Sequence, residues 1–319
     1  MAPNNPVRQE RQLVIEVVTF GYLAVLFILA AFAPARVEHS RLIAVQVLVA
    51  ALCYGAGRWF VSKLKHGFAS VVLHVVALLA VYSFLFKTSA LLQQTLVAQP
   101  VDATFIAIDT RIFGSEASLW MQKFISPGVT EWMMFAYVIY IPMLPILAFL
   151  CWRSAREGGI YDYLTNFVLV NILCYTGFIL FPVETPMWHH PEKFVIPLEG
   201  GLFTQCGEWV RANIHEKGGG FPSPHCAMGT VMVVMIYRYW RHAFVISVPI
   251  VVTLYLSTVY CRYHYLWDAV SGVVVGFLVV VWSPTLTAVV NKLLRPVSSP
   301  RFVSTPELKP TITSEEDLK

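Results

Sequence analysis

Charged side chains are scarce in this sequence. Asp, Glu, Lys and Arg make up 13% of its 319 residues and apolar residues make up 57%, whereas about a quarter of the residues in soluble domains are charged. This shortage excludes an ordinary soluble domain and indicates an integral membrane protein. The net charge of +4 is small and falls mostly on one side of the predicted spans. We therefore expect the lipid bilayer, and not nucleic acid, as a partner.

The cysteines lack the spacing that would indicate a metal site. No Cys-x-x-Cys motif occurs among the six, and the histidines and glutamates between residues 189 and 216 do not match a zinc-binding helix. We interpret that second group as solvated loop residues, and we predict neither a metal nor another cofactor. Three cysteines are expected near one membrane face, which leaves a disulfide open between two of Cys206, Cys226 and Cys261.

Eight apolar segments meet or approach the roughly 20 residues that a membrane-spanning helix needs. They cover residues 13–33, 41–62, 68–87, 129–150, 162–182, 224–240, 243–262 and 265–286. The first is too long for the core of a signal peptide and lacks a convincing cleavage site, so we interpret it as a retained span. The sequence therefore predicts an all-α polytopic membrane bundle of about eight spans.

Lysine and arginine are denser on one side of these spans. The denser segments precede the first span or follow an even-numbered one, and such segments favour the cytoplasm. An even number of spans then places both termini in the cytoplasm. We divide the chain into an N-terminal tail with two additional helices (1–66), a catalytic core of six spans (67–290) and a disordered tail rich in Pro, Ser and Thr (291–319).

Two segments between the spans have patterns of their own. Residues 102–127 place apolar side chains at roughly helical spacing among charged ones, which fits a helix in the outer membrane interface; a connecting loop is the alternative. Residues 182–222 form the longest segment outside the membrane, and segments of that length are usually functional or disordered. Because this one leads directly into Ser223 and His225, we expect it to form a lid or wall over a site.

Two histidines stand at the starts of apolar helices, where a polar side chain is costly unless it bonds or reacts. Ahead of His225, Ser223 can cap a helix and Pro224 fits its first position. Free backbone N–H groups in that first turn favour an anion. The other histidine, His264, precedes Asp268 by four residues, so both share a helix face and the carboxylate can orient and stabilise the imidazole.

Two predicted spans separate His225 from His264, so both fall on the same side of the membrane. The predicted orientation makes that side the extracytoplasmic one. An imidazole oriented by a carboxylate is an activated nucleophile, and a second imidazole can serve as a general acid. With a helix start that favours anions, the two histidines predict phosphoryl transfer at a membrane surface.

The motifs Phe-Pro-Ser-Pro-His225 and His264-Tyr-Leu-Trp-Asp268 resemble the type 2 phosphatidic acid phosphatase superfamily, and more closely its inositol phosphorylceramide synthase-like branch. The resemblance extends over about residues 68–288. It implies a metal-independent lipid phosphatase or phosphotransferase in which His264 attacks phosphorus and forms a phosphohistidine. It further implies that Asp268 holds the ring of His264, while His225 protonates the departing oxygen and then activates the acceptor, which is water or an alcohol on a lipid or polyol.

Three departures from the superfamily pattern reduce the number of groups available to bind a phosphate: the first removes a backbone N–H donor, and the other two remove cations. Pro224 replaces a glycine, Thr258 stands where an arginine is usual, and the first motif, a lysine followed later by Arg-Pro, is absent. The synthase-like branch shares such departures, so they favour that branch over the ordinary phosphatases of the superfamily. Binding of the substrate phosphate would then draw on Ser223, Arg262, Lys193, Arg211 and Lys217.

Two rival functions use the same cluster without turnover. A transporter or lipid-binding membrane protein could use His225, His264 and Asp268 as a proton relay, and a pseudoenzyme could keep the fold for partner binding. Matched broken helices in two halves of the chain, which are typical of transporters, are not evident.

Overall fold

The computed structural model describes residues 6–64, 67–213 and 217–294, and the regular elements among them are all helical. The prediction of an all-α polytopic bundle is confirmed. The described residues contain eleven α-helices: α1 (Pro6–Ala31), α2 (Ser40–Lys63), α3 (Phe68–Leu91), α4 (Asp102–Phe113), α5 (Ala117–Met121), α6 (Pro127–Leu180), α7 (Pro186–His189), α8 (Leu202–Asn213), α9 (Pro224–Tyr239), α10 (Phe244–Tyr260) and α11 (Leu266–Leu294).

Six of the described helices are long and apolar enough to cross a membrane, namely α1, α2, α3, α6, α11 and the segment Arg241–Tyr260 that contains α10. Helix α6 has 54 residues, a length of about 80 Å, which is more than twice the thickness of the hydrocarbon core. Its backbone leaves the helical region at Ala155 and Arg156. Tyr163 then donates to the Leu144 carbonyl oxygen at 3.1 Å, so α6 is a hairpin of two spans.

With α6 counted as two spans and the 16-residue α9 added, the described residues contain all eight predicted segments. Helix α9 lies at the centre and packs against α6, α10 and α11. A Cβ atom at Gly272 or Gly276 of α11 would lie only 2.4 or 2.3 Å from a carbonyl oxygen at the start of α9. Glycine at these positions therefore allows the two helices to approach closely.

Helix α1 packs against α2, α6 and α11, and buried charges join it to the rest of the bundle. Asp162 of α6 is 3% exposed and accepts from Arg11 of α1 and, at 3.2 Å, from Arg238 of α9. Farther along α1, Glu16 accepts from Arg58 of α2 at 2.5 Å. The N-terminal helices are thus in direct contact with the helices that carry the histidines.

The predicted helix in residues 102–127 is confirmed as α4 and α5, which are followed by a short 3-10 turn; its place in a membrane interface stays a prediction. At the other end of the chain, α11 continues to Leu294, beyond the predicted core boundary at residue 290. The predicted disorder of the remaining tail, residues 295–319, falls outside the described residues. The histidine and glutamate at positions 215 and 216, which we predicted to be solvated, also lie outside the described residues.

Candidate active site

The start of α9 has the predicted capped geometry. Ser223 accepts a hydrogen bond from the Cys226 N–H at 3.4 Å, and Pro224 occupies the first helical position. The Ser223 N–H donates to the Asp268 carbonyl oxygen at 2.9 Å. This backbone bond joins the first turn of α9 to the first turn of α11, which places His225 beside the second histidine motif.

His264 lies in a tight turn between α10 and α11. Its N–H donates to the Thr258 carbonyl oxygen at 3.0 Å, and its Nδ1 lies 3.5 Å from Asp268 Oδ2. That separation is at the long limit of a hydrogen bond, and such contacts often tighten only when substrate binds. The same carboxylate oxygen accepts from the Tyr265 N–H at 2.9 Å. Asp268, with 0% exposure, is therefore placed to orient the imidazole.

The two imidazoles meet at one end of the bundle, as predicted. Their ring centroids are 5.9 Å apart, and both rings line a narrow cavity of about 10 Å³. His264 is only 4% exposed. Part of the opposite side of the cavity comes from the segment 182–222, through Thr185, Met187, Trp188, Gly218 and Gly219. These described residues of the segment therefore form a wall of the site, one of the two roles, lid or wall, that the sequence predicted; we call the segment the wall.

Three of the four predicted cations contact partners outside this cavity. Arg262 donates to the Ile196 carbonyl oxygen and its guanidinium lies 4.6 Å from the centroid of the Phe194 ring. Lys217 Nζ lies 2.9 Å from Glu184, and Arg211 pairs with Glu208 at 2.6 Å. Of the predicted site residues, the structure thus brings together His225, His264, Asp268 and Ser223. Phosphate binding by Arg262, Lys193, Arg211 and Lys217 stays a prediction.

Thr258, at the position where the superfamily usually has an arginine, has a structural role here. Its side chain is 0% exposed, donates to the Tyr255 carbonyl oxygen at 2.8 Å and lies 3.7 Å from Cys226 Sγ. It therefore fills the contact between α9 and α10. A long cationic side chain at this point would have to displace that packing.

Sequence reasoning missed a group of buried acids in α4 and at the start of α5. Asp102 has 0% exposure and accepts from Tyr265 Oη at 3.0 Å and from the Glu184 N–H. Asp109, seven residues later, accepts from the Ala117 N–H at 3.1 Å. The signal was two acids at helical spacing in a segment that also carries apolar residues. From the sequence we assigned them no role, whereas they are buried in the protein beside the second histidine motif.

The interpretation of His190 as a solvated residue was wrong. His190 is 4% exposed, and its Nε2 bonds to Glu116, which is itself buried. Burial raises the pKa of Glu116 to about 7. Burial lowers the pKa of His190, and the nearby charges of Lys193 and His189 lower it further. The bond between His190 and Glu116 thus joins the wall to the start of α5. No spacing in the sequence indicated it, because the partners are 74 residues apart.

The described residues contain no group of three or more His, Cys, Asp or Glu side chains placed to hold a metal ion. All six cysteines lie in the described part of the chain and are free. The predicted alternative of a disulfide between two of Cys206, Cys226 and Cys261 is therefore not formed in this structure.

The fold and the site define a polytopic membrane protein with two facing imidazoles, one of them paired with a buried carboxylate. The family model of the PAP2 superfamily, the type 2 phosphatidic acid phosphatases, matches residues 103–282. The chain belongs to this superfamily, which comprises phosphatases and phosphotransferases. The match begins in α4 and includes both histidine motifs. Neither the comparison with curated proteins nor that with solved structures found a match.

Proposed function

We propose that this protein is a membrane-embedded enzyme that takes the phosphoryl group from a lipid phosphate or phosphodiester and carries it on His264. One observation carries this proposal: two imidazoles lie 5.9 Å apart on one cavity, and one of them faces the carboxylate of Asp268. A nucleophile, its orienting group and a general acid are the parts that such a reaction needs.

We infer the steps from this geometry. Because Nδ1 of His264 faces Asp268, we assign the proton to that nitrogen and the nucleophilic lone pair to Nε2. As the bond between Nε2 and phosphorus forms, the bond from phosphorus to the leaving oxygen breaks, and His225 gives its proton to that oxygen. The neutral His225 then takes the proton of the acceptor hydroxyl, whose oxygen attacks phosphorus and releases His264.

A second cavity supports a lipid as the substrate. It has a volume of about 240 Å³, lies between α3, the two halves of α6 and the start of α9, and is lined mostly by apolar and aromatic side chains. His225 forms part of its lining and also lines the narrow cavity. Ile141 at its edge is 44% exposed, on a helix long enough to span the bilayer. A hydrocarbon chain in this α3–α6 cavity would place the attached phosphate near both histidines.

A variant that fills the α3–α6 cavity tests this placement. Leu144 lines the cavity, so Leu144→Trp should raise KM for a phosphate with a long alkyl chain about tenfold and change KM for a short-chain phosphate little. Ile146→Trp serves as the control, because Ile146 is 52% exposed on the same helix and lies outside the lining of the cavity. An equal rise in KM for both chain lengths would remove the assignment of this cavity.

The second half of the reaction needs an acceptor that attacks the phosphorus on His264. Water as the acceptor makes the protein a phosphatase. An alcohol on a second lipid or a polyol makes it a transferase, as in the inositol phosphorylceramide synthase-like branch, with which the chain shares the departures described in the sequence analysis. The site would lie on the extracytoplasmic or lumenal side, with both termini in the cytoplasm.

Trapped phosphate on His264 is the direct test of this function. Brief exposure to phospholipids labelled in the phosphate should leave acid-labile label on the wild-type protein and none on His264→Ala. His242→Ala, at an exposed histidine, should be labelled like the wild type. The proposed reaction draws on no metal ion, so EDTA should not reduce labelling. Turnover retained in His264→Ala would end the proposal, and binding without any label would favour a transporter, lipid-binding protein or pseudoenzyme.

The acceptor is decided by product analysis. Purified protein is given one labelled phospholipid with and without a panel of alcohols, including diacylglycerol, ceramide and inositol. A transferase should form a new labelled phosphoester and release less free phosphate as acceptor increases. Phosphate release that no acceptor changes would identify a phosphatase.

A further inference from the structure

Two tyrosines of α6 surround the ring of His225. Tyr137 and Tyr140 lie three residues apart, so they share one face of the helix. Both ring centroids are 4.8 Å from that of His225, at interplanar angles of 27° and 48°. Their exposures are 1% and 9%. The imidazole therefore rests against two buried aromatic rings, which restrict its orientation.

These contacts extend to the second histidine motif. Tyr263, the residue before His264, lies with its ring centroid 4.5 Å from that of Tyr137. His225 and His264 are themselves in edge contact. The five rings thus form a connected set of contacts that joins α6, α9 and the turn before α11. Through this set, α6 contacts both histidine motifs.

The aromatic rings also suit the charge that the general acid must carry. His225 has to hold a proton before it can give one to the leaving oxygen, so it begins the reaction as an imidazolium cation. The negative face of an aromatic ring attracts a cation, and the attraction is stronger where water is excluded. The other ionisable groups of the site, His264 and Asp268, form a pair of their own.

We propose that Tyr137 and Tyr140 are positioning residues that hold the imidazolium of His225 toward the leaving oxygen of the substrate. This inference rests on the proposed function, because it assumes that His225 is the general acid. According to this proposal, the aromatic rings of the two tyrosines orient His225, and their hydroxyl groups do not. It also assigns α6, which lies outside both histidine motifs, an indirect part in proton transfer, through the orientation of His225.

The dependence on the leaving group separates this role from ordinary packing. A short-chain alkyl phosphate, which does not reach far into the α3–α6 cavity that Tyr140 also lines, needs a proton on its departing oxygen, whereas 4-nitrophenyl phosphate releases a stable anion without one. The ratio kcat/KM reports the steps up to formation of the phosphohistidine, before His225 acts on the acceptor. We expect Tyr140→Leu to lower kcat/KM for the alkyl phosphate about 5- to 30-fold, the range that a lost cation–π contact supplies. The kcat/KM for 4-nitrophenyl phosphate should fall less than about threefold.

The other variants test the ring itself. Tyr140→Phe keeps the ring and should recover most of the kcat/KM for the alkyl phosphate. Tyr140→Met provides a second variant without a ring should the leucine variant fold poorly. Phe149→Leu removes a half-exposed ring from the same helix and should behave like the wild type. An equal loss on both substrates, or a loss in Tyr140→Phe as large as in Tyr140→Leu, would overturn the inference.

His264→Ala in the same assay separates the two proposals. If it abolishes turnover of both substrates while Tyr140→Leu shows no leaving-group dependence, the positioning role fails and the proposed function stands. If His264→Ala turns over either substrate at the wild-type rate, the proposed function itself fails.

Discussion

At the scale of single residues, Asp268 combines two roles that one substitution can separate. Its carboxylate accepts from the Tyr265 N–H at 2.9 Å and faces Nδ1 of His264 at 3.5 Å, while its backbone carbonyl binds the Ser223 N–H. Asparagine has the same size and can still accept from Tyr265, but it carries no charge to stabilise an imidazolium. The substitution therefore removes the electrostatic role and leaves the packing.

We expect Asp268→Asn to lower kcat about 10²- to 10⁴-fold, as the loss of the orienting carboxylate does in other carboxylate–histidine sites. The melting temperature and the quantity of folded protein should stay close to the wild type. Steady-state kinetics and thermal melting in the same detergent give both quantities. A kcat within threefold of the wild type would contradict the role assigned to Asp268.

Asp109 gives a prediction on pH and stability. Burial raises its pKa from 3.8 to about 6, so between these values the native protein holds a proton that the unfolded chain has lost. Native stability therefore falls as pH rises through this window. Glu116 acts with the same sign up to its pKa of about 7. His190, whose pKa is lowered by burial, acts in the opposite direction below its unfolded value.

Asp109→Asn keeps an acceptor for the Ala117 N–H but removes the titration. The melting temperature of the variant, relative to the wild type, should therefore increase steadily from pH 4 to pH 6. Glu116→Gln should show the same trend and extend it to about pH 7. Melting curves at half-unit steps of pH test both variants, and a difference that does not change with pH would refute the argument.

At the scale of elements, the close approach of α11 to α9 determines where the histidines meet. A Cβ atom at Gly276 would lie 2.3 Å from the Ala227 carbonyl oxygen, and one at Gly272 would lie 2.4 Å from the Ser223 carbonyl oxygen. Both obstacles are backbone atoms, so a side chain at either position can be accommodated only if a helix moves. Such a movement would disturb the bond from the Ser223 N–H to Asp268.

Gly276→Ala should lower the free energy of unfolding by about 1–3 kcal/mol, the usual cost of overpacking, and should lower kcat as well. Gly57→Ala on α2 is the matched control, because nothing lies within 4 Å of its added Cβ. Alanine in that open helical position should stabilise the protein by about 0.5–1 kcal/mol. Denaturant titration of both variants tests the contrast. Equal effects would show that the packing is looser than the structure indicates.

At the scale of the whole molecule, buried charges unite the N-terminal helices with the part that matches the superfamily. Asp162 lies within the matched residues, and it binds Arg11 of α1 as well as Arg238 and Tyr239 of α9. Removal of one partner from a buried ion pair is costly because the remaining charge keeps its desolvation penalty. The first helix is therefore joined through Asp162 to the helix that carries His225.

We expect Asp162→Asn to lower the free energy of unfolding by about 2–4 kcal/mol, somewhat below the value for a fully buried pair because the arginines are partly exposed. Turnover per folded molecule should change little, since Asp162 lies at the opposite end of α9 from His225. Arg241→Gln, at an exposed arginine that contacts Tyr237, should have almost no effect. A stability loss confined to the control would contradict this account.

The orientation of the molecule can be tested with two introduced cysteines. Val195, 80% exposed in the wall, should lie on the extracytoplasmic side, and exposed Ser154, just before the break in α6, should lie in the cytoplasm. A membrane-impermeant maleimide applied to intact cells should label Val195→Cys above the wild-type background and leave Ser154→Cys unlabelled. Labelling of Ser154→Cys alone would place the site in the cytoplasm.

Local sequence patterns predicted much of this protein. Runs of apolar residues predicted the spanning segments, because helix formation in a bilayer depends on neighbouring residues alone. Ser223 and Pro224 predicted the start of α9, and the spacing of His264 and Asp268 predicted their pairing. Contacts between distant segments could not be predicted in this way. The bond from His190 to Glu116 and the inward direction of Asp102 and Asp109 depend on how α4 and α5 pack against the turn before α11.

The helical class of this protein, its apolar segments and the two histidine motifs follow from interactions within a few turns of chain, so the sequence alone could predict them. The groups that surround the histidines come from distant segments, and their arrangement depends on the packing of the helices. Tyr137 and Tyr140 reach His225 because α6 folds against α9, and Arg262 turns toward Ile196 because the wall packs over its turn. Such contacts depend on the three-dimensional packing of helices, which the order of residues along one helix does not contain.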